Sequence, residues 1–147
     1  MNRFKYNLIM CGIFVSLYTI ATMVLEFFEG NKITTTLYYG LRNIGFGFVL
    51  YNLVFSFLLY LISFLPLTLL LNKFVESLFL RIIVYSFIGG ISGIWIFNHL
   101  YNYQDFIRSY EFNKSSAIIV FGVSGTIYAL VEYYLFNRIT YRSNNQS

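Results

Sequence analysis

The chain has 147 residues, of which 58% are hydrophobic, 22% aromatic and only 11% Asp, Glu, Lys or Arg. A soluble chain carries roughly 25% charged residues, so this supply cannot furnish a water-facing surface, and a soluble domain is excluded. The formal charge of +4 is dispersed over loops and ends, with no basic run and no basic helical face, which argues against nucleic acid as a partner.

Four uncharged apolar runs cover residues 6–25, 43–72, 82–104 and 115–131. A hydrocarbon core of about 30 Å is crossed by about 20 residues at 1.5 Å each. Lipid offers no partner for backbone N–H and C=O groups, so each run must be a helix or part of a closed barrel, and runs this long without alternation exclude the barrel. The predicted fold class is all-α, a polytopic transmembrane helical bundle of four spans in one domain. The spans are expected at residues 6–27, 44–66, 82–103 and 115–136, followed by a short polar tail at 138–147.

The first run follows Arg3 and Lys5 but exceeds the 7–15 apolar residues of a signal h-region and lacks an A-x-A site, so it reads as a retained anchor. Leu8-Ile9-Met10-Cys11 is no lipoprotein box, because Met10 is too large and the apolar stretch follows the cysteine. Cys11 is the only cysteine, which rules out a disulfide within the chain and cysteine-rich metal motifs.

The second run is about 45 Å long as a helix, well beyond the hydrocarbon thickness, and contains Pro66. Proline removes the bond to residue 62 and crowds that turn. A break near Phe64 to Leu67, with Leu67 to Leu71 along the inner interface, is one expectation, and a single tilted helix is the other. Gly45, Asn52, Ser56, Tyr60 and Ser63 form one stripe at spacings of 7, 4, 4 and 3, with Asn52 near the midplane. Such a stripe serves either interhelical hydrogen bonding or the lining of a permeation path.

In the third run Ser86, Gly89, Gly90 and Gly93 fall within about 100° of arc, and Gly89 and Gly93 form G-x-x-x-G. The fourth offers Gly122, Gly125 and Ala129 on one broad face. These two helices are therefore expected to pack together inside one bundle, with a homodimer through Gly89 and Gly93 as the alternative. His99 shares a face with Ser92 and is placed to reach Glu26. In the loop that follows, Tyr103, Phe106, Ile107 and Tyr110 recur at helical spacing beside Asp105, Arg108 and Glu111, which predicts a short helix on the outer surface. Glu132 shares a face with Gly125 and Tyr128; it is expected to point inward and to snorkel toward a basic residue such as Lys73 or Arg81. His99 and Glu132 fall near opposite leaflets and are not expected to form a proton relay.

Aromatic residues mark the ends of the spans: Phe4 and Tyr6, Phe27 and Phe28, Tyr38 and Tyr39, Tyr101 and Tyr103, and Tyr133, Tyr134 and Phe136. With a cytoplasmic N-terminus the inner side carries Arg3, Lys5, Lys73, Arg81, Arg138 and Arg142, against Lys32, Arg42, Arg108 and Lys114 outside. The bias places both termini in the cytoplasm.

One histidine, six acids and one cysteine supply no H-E-x-x-H, nucleophile elbow, Walker loop or paired intramembrane carboxylates. No enzyme, cofactor or metal is expected.

RIIVYSFIGGISGIWIFNHLY at Arg81 to Tyr101 and SSAIIVFGVSGTIYALVEYYLF at Ser115 to Phe136 resemble an uncharacterised family of small four-helix integral membrane proteins from low-GC Gram-positive bacilli. The likeness rests on a glycine-bearing apolar pattern over the second half; the first half agrees only in hydropathy. It implies a cell-membrane location and four spans, and no activity. Two function classes follow from the residues themselves. One is an interaction, regulatory or immunity-type membrane protein, whose partners are the lipid bilayer and another membrane protein or further copies of itself. The other is a small transporter or channel with Asn52, Ser56, Tyr60 and Ser63 along the path and Glu132 as the coupling acid.

Overall fold

The computed structural model describes residues 3–32, 45–101 and 111–144, with side chains placed from 5 to 138 within those ranges. Helix α1 spans Arg3–Phe28 and ends in a 3-10 turn at Gly30–Lys32. The second long helix comprises α2 (Phe46–Leu59), a π turn (Tyr60–Phe64) and α3 (Leu65–Phe74). After three residues, α4 runs over Leu78–Tyr101, and α5 over Lys114–Asn144. No strand occurs among the described residues. Four helices are long and apolar enough to cross a membrane, so the chain is an all-α multi-pass membrane protein.

The helix bounds depart from the sequence expectation in two places. The last helix continues to Asn144, through most of the segment expected as a tail. The second helix runs beyond residue 66 to Phe74, in keeping with the single-helix alternative at Pro66, and its 29 residues, Phe46–Phe74, correspond to about 43 Å. The proline sits in the first turn of α3, exposed, and the π turn stands directly before it. There the Leu65 N–H reaches back five residues to the Tyr60 carbonyl, which winds the helix past the point where proline can neither donate nor fit tightly.

That turn also resets the buried face. Asn52, Ser56, Tyr60, Phe64, Thr68 and Leu71 are all buried, whereas Ser63 is exposed. Uninterrupted α spacing turns Ser63 inward; one extra residue in the turn puts Phe64 there instead. The inclusion of Ser63 in the polar stripe is thereby corrected, and Gly45, at the exposed helix start, lies outside the buried stripe as well.

Helix α1 packs against α2 and α5, and α4 packs along α5. The α4–α5 contact is backbone to backbone. A Cβ at Gly89 would collide with the Phe121 carbonyl, one at Gly93 with the Ala117 carbonyl, and one at Gly125 with the Tyr85 carbonyl. Gly90 and Gly122 face looser surroundings: the nearest atoms to an added Cβ are 3.5 Å away at Ile118 and 3.6 Å at Ser86. The small residues thus divide into three that the bundle requires and two beside an open groove lined by Ile82, Phe87, Ile91 and Ile94. Ala129 is fully buried.

The interior is aromatic. Phe14 lies 4.2 Å from Phe64 and 5.9 Å from Tyr128, and the Tyr85 and Tyr128 rings are 5.0 Å apart. Large apolar side chains also cover the exterior, among them Ile62, Phe87 and Trp95. In a bilayer this costs nothing, because lipid tails are as apolar as the core, and uniqueness must come from close packing and from buried polar contacts.

Candidate functional site

Two buried polar clusters lie at opposite ends of the bundle. The first joins the start of α1, the end of α3, the start of α4 and the second half of α5. Arg81 is 1% exposed and Glu132 0%. One Arg81 guanidinium nitrogen (Nη1) stands 2.6 Å from Glu132 Oε2 and 2.8 Å from Oε1, and also donates to Asn72 Oδ1 at 2.6 Å. Its neighbour Nη2 donates to the carbonyls of Val75 (2.6 Å) and Leu71 (3.3 Å), and Nε donates to Val75 at 2.9 Å. A guanidinium has five N–H groups, and these partners accommodate all of them. Tyr6 donates its hydroxyl proton to Glu132 Oε1 at 3.0 Å, and Asn72 donates to the Tyr6 oxygen at 3.3 Å. The rings of Phe136 and Tyr133 lie 5.4 and 5.8 Å from the guanidinium carbon.

Local sequence explains why this arginine can be buried. Helix α3 ends at Phe74, where the Leu71 carbonyl accepts the Val75 N–H. Arg81, near the start of the next helix, folds back over the intervening Val75–Ser77, adds a second donor to the Leu71 carbonyl and donates to that of Val75. An unpaired charge here would cost several kcal/mol; the cluster supplies a counter-charge, an amide and two carbonyls. Glu132 therefore pairs with Arg81, one of the two partners foreseen, but does not snorkel: it meets the arginine inside the bundle, because Arg81 lies within α4 and not in the loop.

The second cluster joins the end of α1 to the start of α5. Glu29 is 1% exposed. Its Oε1 accepts from the Ser116 hydroxyl at 2.6 Å, and its Oε2 from the Asn113 N–H at 3.0 Å and from Lys32 Nζ at 2.8 Å. Asn113 caps α5 by accepting from the Ser115 N–H at 2.9 Å. A carboxylate at a helix N-terminus is favoured by the backbone dipoles. Lys32 is the half-exposed member, with 38% of its side chain accessible, and also donates to the Glu111 carbonyl.

Between these ends the hydroxyls are tied internally. Thr68 lies 2.9 Å from the Tyr85 hydroxyl and 3.2 Å from that of Tyr128. Tyr60 donates to the Asn7 carbonyl at 3.2 Å. Asn52 and Ser56 are buried and donate to carbonyls of their own helix, at Phe48 and Leu53. The cavity framed by Phe14, Tyr18, Phe64 and Tyr128 holds about 40 Å³ and is apolar.

The structure thus gathers Glu132 with Arg81 and, toward the other end, sets Asn52 and His99 along one small cavity beside Tyr18 and Trp95. His99 is exposed and lies flat on Trp95, with ring centroids 5.6 Å apart, while Glu26 is buried. From Arg81 to His99 the rise along α4 is about 27 Å, so His99 and Glu132 lie at opposite ends. The expected surface helix around Tyr103, Phe106, Ile107 and Tyr110, and the anchors Tyr38 and Tyr39, lie outside the described residues. Sequence reasoning did not single out Glu29, Asn72 or Thr68 and read Tyr6 only as an interface anchor. The available signal was an isolated Arg or Glu just inside a span with an amide or hydroxyl near another span's end on the same side. No family model matches this chain, and neither a curated protein nor a solved structure is significantly similar to it.

Proposed function

We propose that this chain is a membrane interaction protein, which binds or regulates another membrane component, or confers immunity to a membrane-active agent, and performs no catalysis. The observation that carries this reading is that the buried ion pair and the polar residues of the second helix are engaged within the protein. Arg81 and Glu132 neutralise one another with every guanidinium N–H partnered, and Asn52 and Ser56 bond their own backbone. Transport pathways ordinarily keep an ionisable group available to water or substrate. Glu132, the acid that a coupled carrier here would use, is structural. The outward surface offers the open α4–α5 groove floored by Gly90 and Gly122.

The setting we propose is a cell membrane, that of a low-GC Gram-positive bacillus on the sequence resemblance, with both termini cytoplasmic. The Tyr6–Glu132 contact brings the first and last helices to one end, as an even number of spans requires, and the Lys and Arg bias assigns that end to the inside.

In-membrane crosslinking of the natively expressed protein, followed by affinity capture, tests the reading. A distinct stoichiometric partner is the expected result, and its capture should be weakened by Gly122→Leu, which fills the groove. Recovery of the chain alone as a defined oligomer, together with solute or ion flux in reconstituted vesicles that Asn52→Leu abolishes, overturns it.

A further inference from the structure

We propose that the π turn Tyr60–Phe64 is a register switch through which the inner half of the second helix engages or releases the buried Arg81–Glu132 pair. Three observations carry it. The first is the turn itself: Leu65 N–H bonds to the Tyr60 carbonyl, so the helix below it is rotated by about one residue, or 100°, relative to a continuous α-helix. The second is the composition below the turn. Leu65-Pro66-Leu67-Thr68-Leu69-Leu70-Leu71-Asn72 carries leucine on every side, and lipid accepts leucine as readily as the core does. Rotating this segment therefore carries little apolar penalty, and its register is held by Phe64 against Phe14 and by the bonds of Thr68 and Asn72. The third is connection. Asn72 bonds both Arg81 and Tyr6, and Arg81 caps the Leu71 and Val75 carbonyls, so the segment cannot rotate without letting go of the ion pair.

Collapse of the turn to α spacing moves every residue below it by one place. Ser63, Leu67 and Leu70 take the positions of Phe64, Thr68 and Leu71; Thr68 leaves Tyr85 and Tyr128, and Asn72 leaves Arg81. Pro66, on the lipid-facing side, biases the chain toward the native register by disfavouring the tight turn over the residue 62 carbonyl without excluding it. Helix shifts of this kind are bistable and not graded, since each register has its own packing.

Residue-resolved carbene labelling from the lipid phase, using a diazirine fatty acid in reconstituted vesicles, reads the register on native side chains. In the unmodified protein Ser63 and Leu70 should label and Phe64, Thr68 and Leu71 should not. Pro66→Ala should shift the pattern by one residue, bringing Thr68 to the exposed place of Leu69 and protecting Ser63 and Leu70, while Leu53 and Val54 stay labelled and Asn52 and Ser56 protected. An unshifted pattern overturns the proposal. If Pro66→Ala loses the α2 pattern as well, Thr68→Val combined with Asn72→Leu decides: labelling gained at position 68 and lost at Ser63 and Leu70 sustains the switch, and the native pattern overturns it.

Discussion

Two carboxylates, Glu132 and Glu29, are both at most 1% exposed, yet the bundle holds them by different physics. Glu132 meets a full counter-charge that is itself buried, so neither partner has access to water. Glu29 meets a helix N-terminus, a hydroxyl and a lysine that reaches the surface. The first arrangement is all or nothing: its worth depends on both members being present. The second is distributed, and any one donor can be lost with the others still in place. One end of the molecule is thus brittle and the other forgiving, although each buries carboxylate.

Breaking the pair at Glu132 should therefore have the largest effect. Glu132→Ala or Arg81→Ala leaves a buried charge alone and should cost about 3–5 kcal/mol, read as loss of folded protein in thermal unfolding in detergent. Replacing both together, as Arg81→Met with Glu132→Leu, should recover most of that loss; failure to recover would show that the capped Val75 and Leu71 carbonyls matter more than the charges. Next comes Gly125→Ala, which forces α4 and α5 apart at the Tyr85 carbonyl and should cost about 1–3 kcal/mol, whereas Gly122→Ala should be close to neutral in the same assay. Glu29→Gln should cost about 1–2 kcal/mol, because the amide oxygen can replace only one of the two carboxylate oxygens, so either Ser116 or Asn113 loses its acceptor, and the charge is lost as well. Smallest is Lys32→Ala, at about 0–1 kcal/mol and vanishing in high salt, as for an exposed pair. An equal effect of Glu132→Ala and Glu29→Gln would erase the contrast between the ends.

What the sequence disclosed follows the same division between local and distant information. Spans were legible because hydropathy is a property of the segment, and Gly89, Gly93 and Gly125 were legible because close approach needs missing side chains at helical spacing. Glu132 was readable as inward-facing from its neighbours at Gly125 and Tyr128. Its partner was narrowed to a basic residue at the same end, but Lys73 and Arg81 could be separated only by knowing where α3 stops. Ser63 was misplaced because the extra residue of the π turn is a backbone feature that no periodicity records, even though Pro66 pointed to the neighbourhood. Glu29 was illegible for another reason: an acid just beyond an apolar run looks like an ordinary loop residue, and only the arrival of Asn113 and Ser116 from far along the chain makes it a buried one.

The Arg81 cap has a consequence for the order of events during synthesis. Glu132 lies 51 residues after Arg81, so at about 5–20 residues per second the arginine exists for roughly 3 to 10 s before its counter-charge is made. The carbonyls of Leu71 and Val75 and the amide of Asn72 all precede it, and a turn of only three residues brings them within reach as soon as α4 begins to form. The ribosome thus delivers the solvating shell first, the cation second and the anion last, and a nascent chain paused before its final helix carries a hydrogen-bonded but uncompensated positive charge at the edge of the bilayer.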